Sequence, residues 1–469
     1  MTGGGVLGGR GALSKRVVVF LLTLFVIAIV FRTTWLPLHE SPASPSPYNP
    51  IPHETINEHV DEHEVHEVKN PCQGLPGADK VLILLKTGVS EIYQKLPVHL
   101  LTTFQCIPNY MVYSDLEQNF TSVTVHDALA PVTAGTRDQV AEFRLYDSIK
   151  QWAHDGQDLT KLPSGWDIDK FKFLPMLHHA FDNAPTSIEW FVMIEPDTSM
   201  SWLNLLLWLQ KMNPKDSLYM GSQNNLGETK FAHGGSGIII SRGAADKLNA
   251  ARANEVGGRE KYDQRWEQVT SNICCGDVIV AKAFAEVDVE MTPSWPLTQG
   301  ESLNTIDWTY KHWCTPAVTW HHVTGEQVDE LWHYQEKWAE LHGWNKPYLF
   351  RDLFAHFIDE HISVNRSHWN NLSNDRKFDR DDANFQNLQQ HERDAVQSAE
   401  ACAAACMHVA EDECIQWMWT SGKCHLGRDL RYGTSDEPQS THWTSGWPVE
   451  RVSRFKKAQE GCETRWRGS

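Results

Sequence analysis

The chain has 469 residues, a hydrophobic fraction of 41% and a formal net charge of −18. This length predicts two folded units with appended segments, and the apolar fraction is sufficient for a sizeable core. Nucleic acid is excluded as a partner, because binding phosphates needs a basic face and the sequence contains no cluster of Lys and Arg. Most of the 20 tryptophans lie within apolar runs, which favours core packing over exposed sugar-stacking faces.

An apolar run near the amino terminus predicts a membrane segment. The run Val17–Phe31 is interrupted only by Thr23 and follows basic residues on its amino-terminal side. Extended to Leu36 it can span a bilayer, and the basic flank predicts a cytosolic amino end. A cleaved signal peptide is the alternative, although no clear small-x-small cleavage site follows the run. We therefore expect a cytoplasmic tail at 1–16, a transmembrane signal anchor at 17–36 and a lumenal remainder.

Residues 37–75 are rich in Pro, Ser, His and Glu and contain too few apolar side chains to bury a core. This composition predicts a disordered stem that holds the folded part away from the membrane. The histidines of this segment could bind a metal, but their irregular spacing in an acidic tract favours a solvated spacer.

The ordered part begins with a strand, a helix and a second strand. Val81–Leu85 predicts a buried strand that ends at Lys86 and Thr87, and Met111–Tyr113 predicts a second strand that ends near Asp115. Polar residues at the tips of such strands are typical of the first half of a nucleotide-binding α/β fold. Lys86, Thr87 and Asp115 are therefore candidate donor-binding residues, although Asp115 is equally consistent with an ordinary acid in a loop.

The chain is organised around Trp190–Thr198. Five apolar residues predict a fully buried strand, which stops at Glu195, Pro196 and Asp197. Side chains at the carboxyl end of a strand in an open α/β sheet face the ligand crevice, where two carboxylates are well placed to hold a divalent cation. Acid-x-acid spacing also occurs elsewhere, for example at Asp167 to Asp169, so strand context singles out this pair; a solvated turn is the alternative.

A glycine-rich run lies beside another apolar strand. Gly234, Gly235, Ser236 and Gly237 precede the apolar Ile238–Ile240. Glycine allows positive backbone angles and lets a ligand approach the main chain without a Cβ in the way. A tight hairpin needs the same residues, so the run is either a ligand-facing strip or a turn.

Two further patterns contain a candidate general base and candidate metal-binding histidines. Asp277 stands at the start of an apolar helix, where it is either a helix cap or a rigidly held general base. His321 and His322 end a later strand. A histidine from that strand tip could complete a site begun by Asp197, because imidazole and carboxylate together suit manganese.

Ten cysteines behind a signal anchor imply disulfides. Cys402, Cys406, Cys414 and Cys424 lie close together and predict a small separate module with two bridges. These four cysteines allow three pairings, among which spacing does not choose, and the absence of Cys-x-x-Cys argues against a zinc site built from them.

Three Asn-x-Ser/Thr sequences are candidate glycosylation acceptors, at Asn119, Asn365 and Asn371. Such acceptors are compatible with a lumenal location, although they are also common by chance.

The motifs around Glu195 to Asp197, Gly234 to Gly237, Asp277, and His321 to His322, in this order, resemble glycosyltransferase family 31. This family is the fringe and core 1 β1,3-galactosyltransferase group, and the resemblance is greatest to its fungal members. It covers roughly residues 78 to 350. The resemblance implies an α/β domain of the GT-A type, a UDP-sugar donor, manganese or another divalent cation, and inversion at the anomeric carbon.

The resemblance also implies roles for individual residues. Asp197 matches the last acid of the family's acidic triplet and would bind the metal, whereas Glu195 matches the first acid and would support it or contact the donor sugar. Pro196 replaces the middle acid, which makes the site less acidic and leaves its metal affinity open. His321 or His322 matches the family's late metal-binding histidine.

Asp277 matches the acid that acts as the catalytic base in this family. The glycine run from Gly234 to Gly237 matches the strip that lines the active site near donor and acceptor.

The four-cysteine module resembles a PAN/apple domain, in which nested pairing would join Cys402 to Cys424 and Cys406 to Cys414. The expected organisation is then a GT-A domain at 76–350, a linker at 351–384 and a PAN/apple-like α+β module at 385–469.

Together these patterns predict a single-pass type II glycosyltransferase of the Golgi or endoplasmic reticulum membrane. It would transfer a hexose, with galactose in a β1,3 linkage as the family-based expectation, from a UDP-sugar to a glycan or glycoprotein acceptor. The alternative is a catalytically inactive lectin or binding protein of the secretory pathway that acts through the PAN-like module. The proline at position 196 gives that alternative its weight.

Overall fold

The computed structural model describes residues 72–163, 165–437 and 440–466. Within these ranges, none of the helices combines the length and the apolar character needed to cross a bilayer. The signal anchor predicted at 17–36, the tail before it and most of the stem after it lie outside the described residues.

A mixed sheet of eight strands forms the centre of the described structure, with the spatial order β11-β7-β10-β5-β1-β2-β4-β3. β1 runs parallel to both β2 and β5, whereas β10 runs antiparallel to β5 and β7. In chain order, the strands of this first part are β1 (Val81–Lys86), β2 (Tyr110–Ser114), β3 (Gln118–Phe120), β4 (Val123–Asp127), β5 (Trp190–Ile194), β6 (Ser199–Met200), β7 (Tyr219–Gly221), β8 (Gln223–Leu226), β9 (Thr229–Ala232), β10 (Ile238–Ser241), β11 (Met291–Pro293) and β12 (Thr319–Trp320).

Helices cover both faces of this sheet. In chain order they are α1 (Ile92–Leu101), α2 (Ala134–Gln139), α3 (Phe143–His154), α4 (Trp166–Asp169), α5 (Phe173–Asn183), α6 (Trp202–Leu209), α7 (Arg242–Asn254), α8 (Arg259–Ser271), α9 (Gly276–Glu286), α10 (Tyr310–Trp313), α11 (Gly325–His342) and α12 (Phe350–Phe357).

The central strands are continuously apolar because successive side chains point to opposite faces of the sheet and both faces are buried. Phe191 and Met193 of β5 pack into one hydrophobic core, whereas Trp190, Val192 and Ile194 pack into a second core on the other face. Every residue of β5 is buried, because successive side chains point to opposite faces and both faces are covered. The predicted buried strand at 190–194 is therefore confirmed.

The register of β1 and β5 positions the candidate site. Leu85 pairs with Ile194, so both strands end at the same edge of the sheet and the next residues, Lys86 and Glu195, lie side by side. Their charged ends are 3.2 Å apart.

The C-terminal region contains a five-stranded sheet of order β13-β19-β16-β17-β15 and a separate β14-β18 pair. Its strands are β13 (Arg366–Ser367), β14 (Trp369–Asn370), β15 (Arg376–Asp379), β16 (Gln416–Thr420), β17 (Lys423–Gly427), β18 (Thr434–Ser435) and β19 (Thr444–Gly446). Its helices are α13 (Gln390–Ala395), α14 (Ala399–His408) and α15 (Val449–Ala458).

Residues 351–384, which the sequence predicts as a linker, have regular structure instead. They supply α12 and the strands β13, β14 and β15, and β15 forms an edge of the C-terminal sheet by pairing with β17. The sequence does not predict β15, because this edge strand buries only Phe378 and its other residues are charged.

The two regions also share a hydrophobic core, unlike the separate module that the cysteine spacing predicts. Trp308 and Phe354 belong to the same buried cluster as Leu430 and Trp447. The backbone N–H of Trp308 donates to the carbonyl of Leu430 at 2.8 Å. A disulfide between Cys314 and Cys462 adds a covalent link.

All ten cysteines are paired. Cys402 is bonded to Cys424 and Cys406 to Cys414, which is the nested arrangement that the resemblance to PAN/apple domains implies. The remaining bridges join Cys72 to Cys106, Cys274 to Cys275 and Cys314 to Cys462.

One of the three predicted glycosylation acceptors is wrong. Asn119 and Asn365 are exposed, but Asn371 is fully buried. The side-chain amide of Asn371 donates to the carbonyl of Trp417 at 3.1 Å, and its oxygen accepts from the Ser373 hydroxyl at 2.8 Å. A glycan on this nitrogen cannot fit into the folded protein.

Candidate active site

The acidic tip of β5 is a fixed turn. The backbone N–H of Thr198 donates to the carbonyl of Glu195 at 3.0 Å, and the Thr198 hydroxyl donates to the carbonyl of Gly235 at 2.7 Å. The carbonyl of Pro196 accepts a hydrogen bond of 2.9 Å from Nε2 of His99 on α1. The proline thus occupies the middle of a turn that is tied to two neighbouring elements.

A short strand pair brings the histidines to this turn. β12 pairs antiparallel with β6, which follows the turn directly, so that Trp320 lies opposite Ser199. Nε2 of the next residue, His321, is then 3.4 Å from Oδ1 of Asp197 and 3.9 Å from Oε2 of Glu195. A ladder of two residues therefore joins parts of the chain that are more than a hundred residues apart.

Both histidines, rather than one of them, approach Asp197. Ligand atoms of Asp197, His321 and His322 all lie within 4.8 Å of one another. His322 adopts a left-handed φ of 54° and its ring lies 3.8 Å from that of His321. A non-glycine residue in this conformation costs about 1–3 kcal/mol, and such strain is concentrated at functional sites.

The donor set of this cluster fits a divalent cation. Two imidazole nitrogens and one carboxylate oxygen suit manganese and related metals. Nδ1 of His321 is buried and has no hydrogen-bond partner among the described residues, while Nε2 faces the acids. Burial alone would raise the pKa of Asp197, but His321 and Lys95 outweigh it and hold that pKa well below its usual range. Asp197 is therefore ionised and ready to act as a ligand.

The glycine run is required by close contacts on this side of the site. A Cβ on Gly235 would lie 2.1 Å from Nε2 of His321, and one on Gly234 would lie 3.1 Å from Oε1 of Glu195. The run is also a turn, because the N–H of Gly237 donates to the carbonyl of Gly234 at 3.0 Å and Gly237 has a φ of 89°. The structure therefore confirms the turn, and the ligand-facing interpretation stays a prediction.

Asp277 lies in the first turn of α9, where it is almost completely buried. One carboxylate oxygen accepts from the N–H of Gly234 at 3.1 Å and the other from the N–H of Val278 at 2.9 Å. Burial raises the pKa of Asp277 to about 6, although these two N–H groups act in the opposite direction. A carboxylate with this pKa is ionised at neutral pH and is still basic enough to accept a proton.

Phe173 of α5 packs between the glycine run and Gly276 at the start of α9. A Cβ on Gly276 would lie 2.1 Å from the Phe173 ring, and one on Gly234 would lie 3.4 Å from it. The Nζ of Lys86 lies over the same ring, 4.7 Å from its centroid. This aromatic ring fixes the distance between α9 and the turn that carries Gly234.

A chain of alternating charges extends from the acidic tip along the β1 side. Lys86 contacts both Glu195 and Asp169, and Lys172 lies 3.2 Å from both Asp169 and Asp115. Burial opposes the charges on Lys86 and Lys172, but the carboxylates outweigh it and raise the pKa of both lysines. Burial likewise opposes the charge on Asp169, whereas the two lysines lower its pKa. Lys86, Lys172 and Asp169 are therefore ionised at neutral pH.

Sequence patterns missed Asp169 and Lys172. Asp169 lies in an acid-x-acid pattern that is also expected by chance, and no apolar strand precedes it. The available signal is the stretch from Trp166 to Leu174, where charged and aromatic residues alternate immediately before a buried helix.

The charge chain lines a cleft of about 230 Å³ whose wall includes Lys86, Asp115, Trp166, Asp169, Glu195 and Asp197. The indole of Trp166 is 66% exposed, which makes it the large aromatic surface of this cleft. Thr87 and Ser236, which the sequence predicts as donor-binding residues, are both buried. The hydroxyl of Thr87 contacts Glu91 at 3.4 Å, and that of Ser236 contacts His233 at 2.8 Å.

Residues 170–326 match the family model described as Fringe-like. The matched range includes Glu195, Asp197, Asp277 and both histidines, in agreement with the sequence resemblance to the fringe group. This match supports the assignment of the chain as a glycosyltransferase.

No curated protein matches the chain. Among solved structures, the chain is similar to a glycosyltransferase involved in the glycosylation of the major capsid of PBCV-1. The sequence identity is 11%, over 54% of this chain and 99% of that chain, with a TM-score of 0.21. A TM-score this low carries no argument about fold or function.

Proposed function

We propose that this protein is an inverting, metal-dependent glycosyltransferase of the GT-A type that transfers a hexose from a UDP-sugar to a hydroxyl of a glycan acceptor. The arrangement of Asp197, His321 and His322 beside the turn that hydrogen-bonds Asp277 supports this proposal most strongly. Gly234 and Gly235 are adjacent residues of that turn, and they contact Asp277 and His321 respectively. The candidate base Asp277 and the candidate metal ligand His321 therefore contact adjacent residues of the same turn.

The carboxylate of Asp197 and the imidazoles of His321 and His322 would hold Mn²⁺ or another divalent cation. When bound, such a cation supplies charge neutralisation for the departing diphosphate. Lys95 lies 3.5 Å from Asp197, and Lys86 lies 3.2 Å from Glu195, so two protein cations add positive charge beside this site.

Asp277 would take the proton from the acceptor hydroxyl as its oxygen attacks the anomeric carbon. Attack from the face opposite the diphosphate breaks the bond to the leaving group and converts an α-linked donor into a β-linked product. General-base assistance of this kind contributes about 10²–10⁴-fold to rate.

The donor would lie along the cleft that Lys86, Asp115 and Glu195 line, with Glu195 next to the sugar. Galactose in a β1,3 linkage and a Golgi or endoplasmic reticulum membrane location remain the family-based expectations. The acceptor is a glycan or a glycoprotein.

The test is a screen of common UDP-sugars for Mn²⁺-dependent release of UDP, followed by variants. Asp197→Ala and Asp277→Ala should each abolish turnover of the donor that the wild type uses. Asp167→Ala is the matched control, because Asp167 is an exposed acid outside the cleft wall, and it should retain wild-type turnover. A wild-type protein that binds UDP-sugars but turns over none of them would instead support the lectin alternative.

A further inference from the structure

A second cluster of metal-binding side chains lies in the C-terminal region, apart from the site described above. It consists of His368, Asp436 and His442, whose ligand atoms all lie within 4.8 Å of one another. The three residues come from three separate segments of the chain.

Backbone hydrogen bonds hold these three segments together. His368 precedes β14 and Asp436 follows β18, and the N–H of Asp436 donates to the carbonyl of His368 at 3.1 Å. The third segment is joined through Trp369, whose N–H donates to the carbonyl of Trp443 at 3.0 Å. Main-chain pairing therefore brings the backbones of these three residues together.

The distances between the side chains suit a small cation. The two Nδ1 atoms of His368 and His442 are 3.3 Å apart. Zinc–nitrogen bonds of about 2.0–2.1 Å in a tetrahedral site place two nitrogens about 3.3 Å from each other. Nδ1 of His442 is 3.8 Å from Oδ2 of Asp436, so a small rotation of one side chain completes a three-ligand set.

Each residue of the cluster is also positioned for binding. His368 has a left-handed φ of 54°, a conformation that a non-glycine residue adopts at a cost. The side chain of Asp436 is only 2% exposed, and its Oδ2 accepts from the N–H of Trp443 at 2.7 Å. The side chain of His442 is 57% exposed, so one side of the cluster is open to solvent.

We infer that His368, Asp436 and His442 form a zinc site on the C-terminal region, with water in the fourth position. Two imidazoles and one carboxylate are a common ligand set for this metal. The bound cation would link the three segments that precede β14, follow β18 and precede β19. This inference does not depend on the proposed transferase activity.

The test measures zinc bound to the full chain by equilibrium dialysis and elemental analysis, in an Asp197→Ala background that weakens the first cluster. Adding His442→Ala should remove one zinc ion per chain. Adding Asp436→Asn should do the same, although its amide oxygen can still accept from Trp443. Zinc should also raise the melting temperature of the Asp197→Ala protein more than that of either double variant.

His333→Ala in the same background is the matched control. His333 is an exposed histidine that lies 3.6 Å from Asp329 and 3.3 Å from Glu336, so it shares the local chemistry but not the three-ligand cluster. It should leave the bound zinc unchanged. Equal zinc content in the background protein, His442→Ala and Asp436→Asn, with all three folded in the absence of metal, would overturn the inference.

Discussion

The carboxylate of Asp277 is buried and accepts two backbone hydrogen bonds, and burial has the larger effect on its pKa. Because its pKa is about 6, the ionised base should be lost on mild acidification. We predict that kcat/KM for the transferred sugar falls about tenfold for each pH unit below 6. A pH–rate profile of the wild type checks this, and a profile that stays flat between pH 7 and pH 5 would exclude Asp277 as the base.

The raised pKa of Asp277 also predicts the direction in which the free energy of unfolding changes with pH. Its pKa in the folded state, about 6, lies above the ordinary value of 3.8, so the folded protein binds more protons between these values than the unfolded chain. The favourable contribution of Asp277 to the free energy of unfolding is complete below pH 3.8, and it is lost as the pH rises through 6. The loss amounts to about 3 kcal/mol at neutral pH.

Asp277→Asn should remove this pH dependence together with activity. At pH 4 the Asp277 carboxyl of the folded wild type is protonated and, like the asparagine amide, has one carbonyl oxygen and one donor facing the two backbone N–H groups, so the two proteins should have similar stability. Between pH 4 and pH 7.5, the unfolding free energy of Asp277→Asn should fall by about 2.4 kcal/mol less than that of the wild type. Urea unfolding at both pH values measures the difference.

Position 235 requires a glycine, because a Cβ there would lie 2.1 Å from Nε2 of the His321 ring. We predict that Gly235→Ala displaces His321 and weakens Mn²⁺ activation by at least about tenfold, a loss typical of disturbed metal ligands. A titration of activity against Mn²⁺ gives the result. Gly135→Ala is the control, because a Cβ there meets no atom within 4 Å, and an equal effect of both variants would contradict the steric explanation.

At the scale of elements, the strand tips of β1, β2 and β5 are connected by the buried charge chain. Lys172 lies at the start of α5 and contacts Asp115 after β2, the carbonyl of Thr87 after β1, and Asp169 in α4. One lysine therefore ties four elements together on the wall of the cleft.

Lys172→Met should be strongly destabilising, because it leaves the buried Asp115 without its cation. Removal of one partner of a buried ion pair typically costs about 3–5 kcal/mol. Urea unfolding of the wild type and the variant measures this cost. Lys80→Met is the control, since Lys80 pairs with Glu189 on the surface and should change the unfolding free energy little.

At the scale of the whole molecule, the C-terminal region completes the core of the first part. Trp308, Trp313 and Phe354 pack in one buried cluster with Tyr432 and Trp447. A chain that ends near residue 360 would expose much of this cluster to water, which favours aggregation.

We therefore predict that a truncated protein lacking residues 361–469 is insoluble or unfolds at a much lower temperature than the full chain. The solubility after expression and the thermal unfolding curve check this. Exchange of the exposed Lys457 for Ala in the full chain should have no such effect. A truncated protein with an unchanged melting temperature would show that the catalytic region folds alone, as the cysteine spacing suggests.

The sequence by itself determined the features that arise from local patterns. The apolar run at Trp190–Ile194 predicts the central strand and places Glu195 and Asp197 at its tip, because a strand covered on both faces must be continuously apolar. Glycines at Gly234 and Gly235 mark a close approach, because no other residue lacks a Cβ. The candidate metal ligands and the candidate base could therefore be named in advance, with the choice between the histidines left open.

Only the tertiary structure decided the features that depend on partners distant in the chain. The pairing of β12 with β6 brings both His321 and His322 to Asp197, and the cations of Lys86 and Lys172 keep Asp169 ionised in the cleft. The burial of Asn371 and the shared core around Trp308 also rest on packing between remote segments. A sequence pattern records which side chains are available, but their electrostatic and steric surroundings exist only once remote segments have packed together.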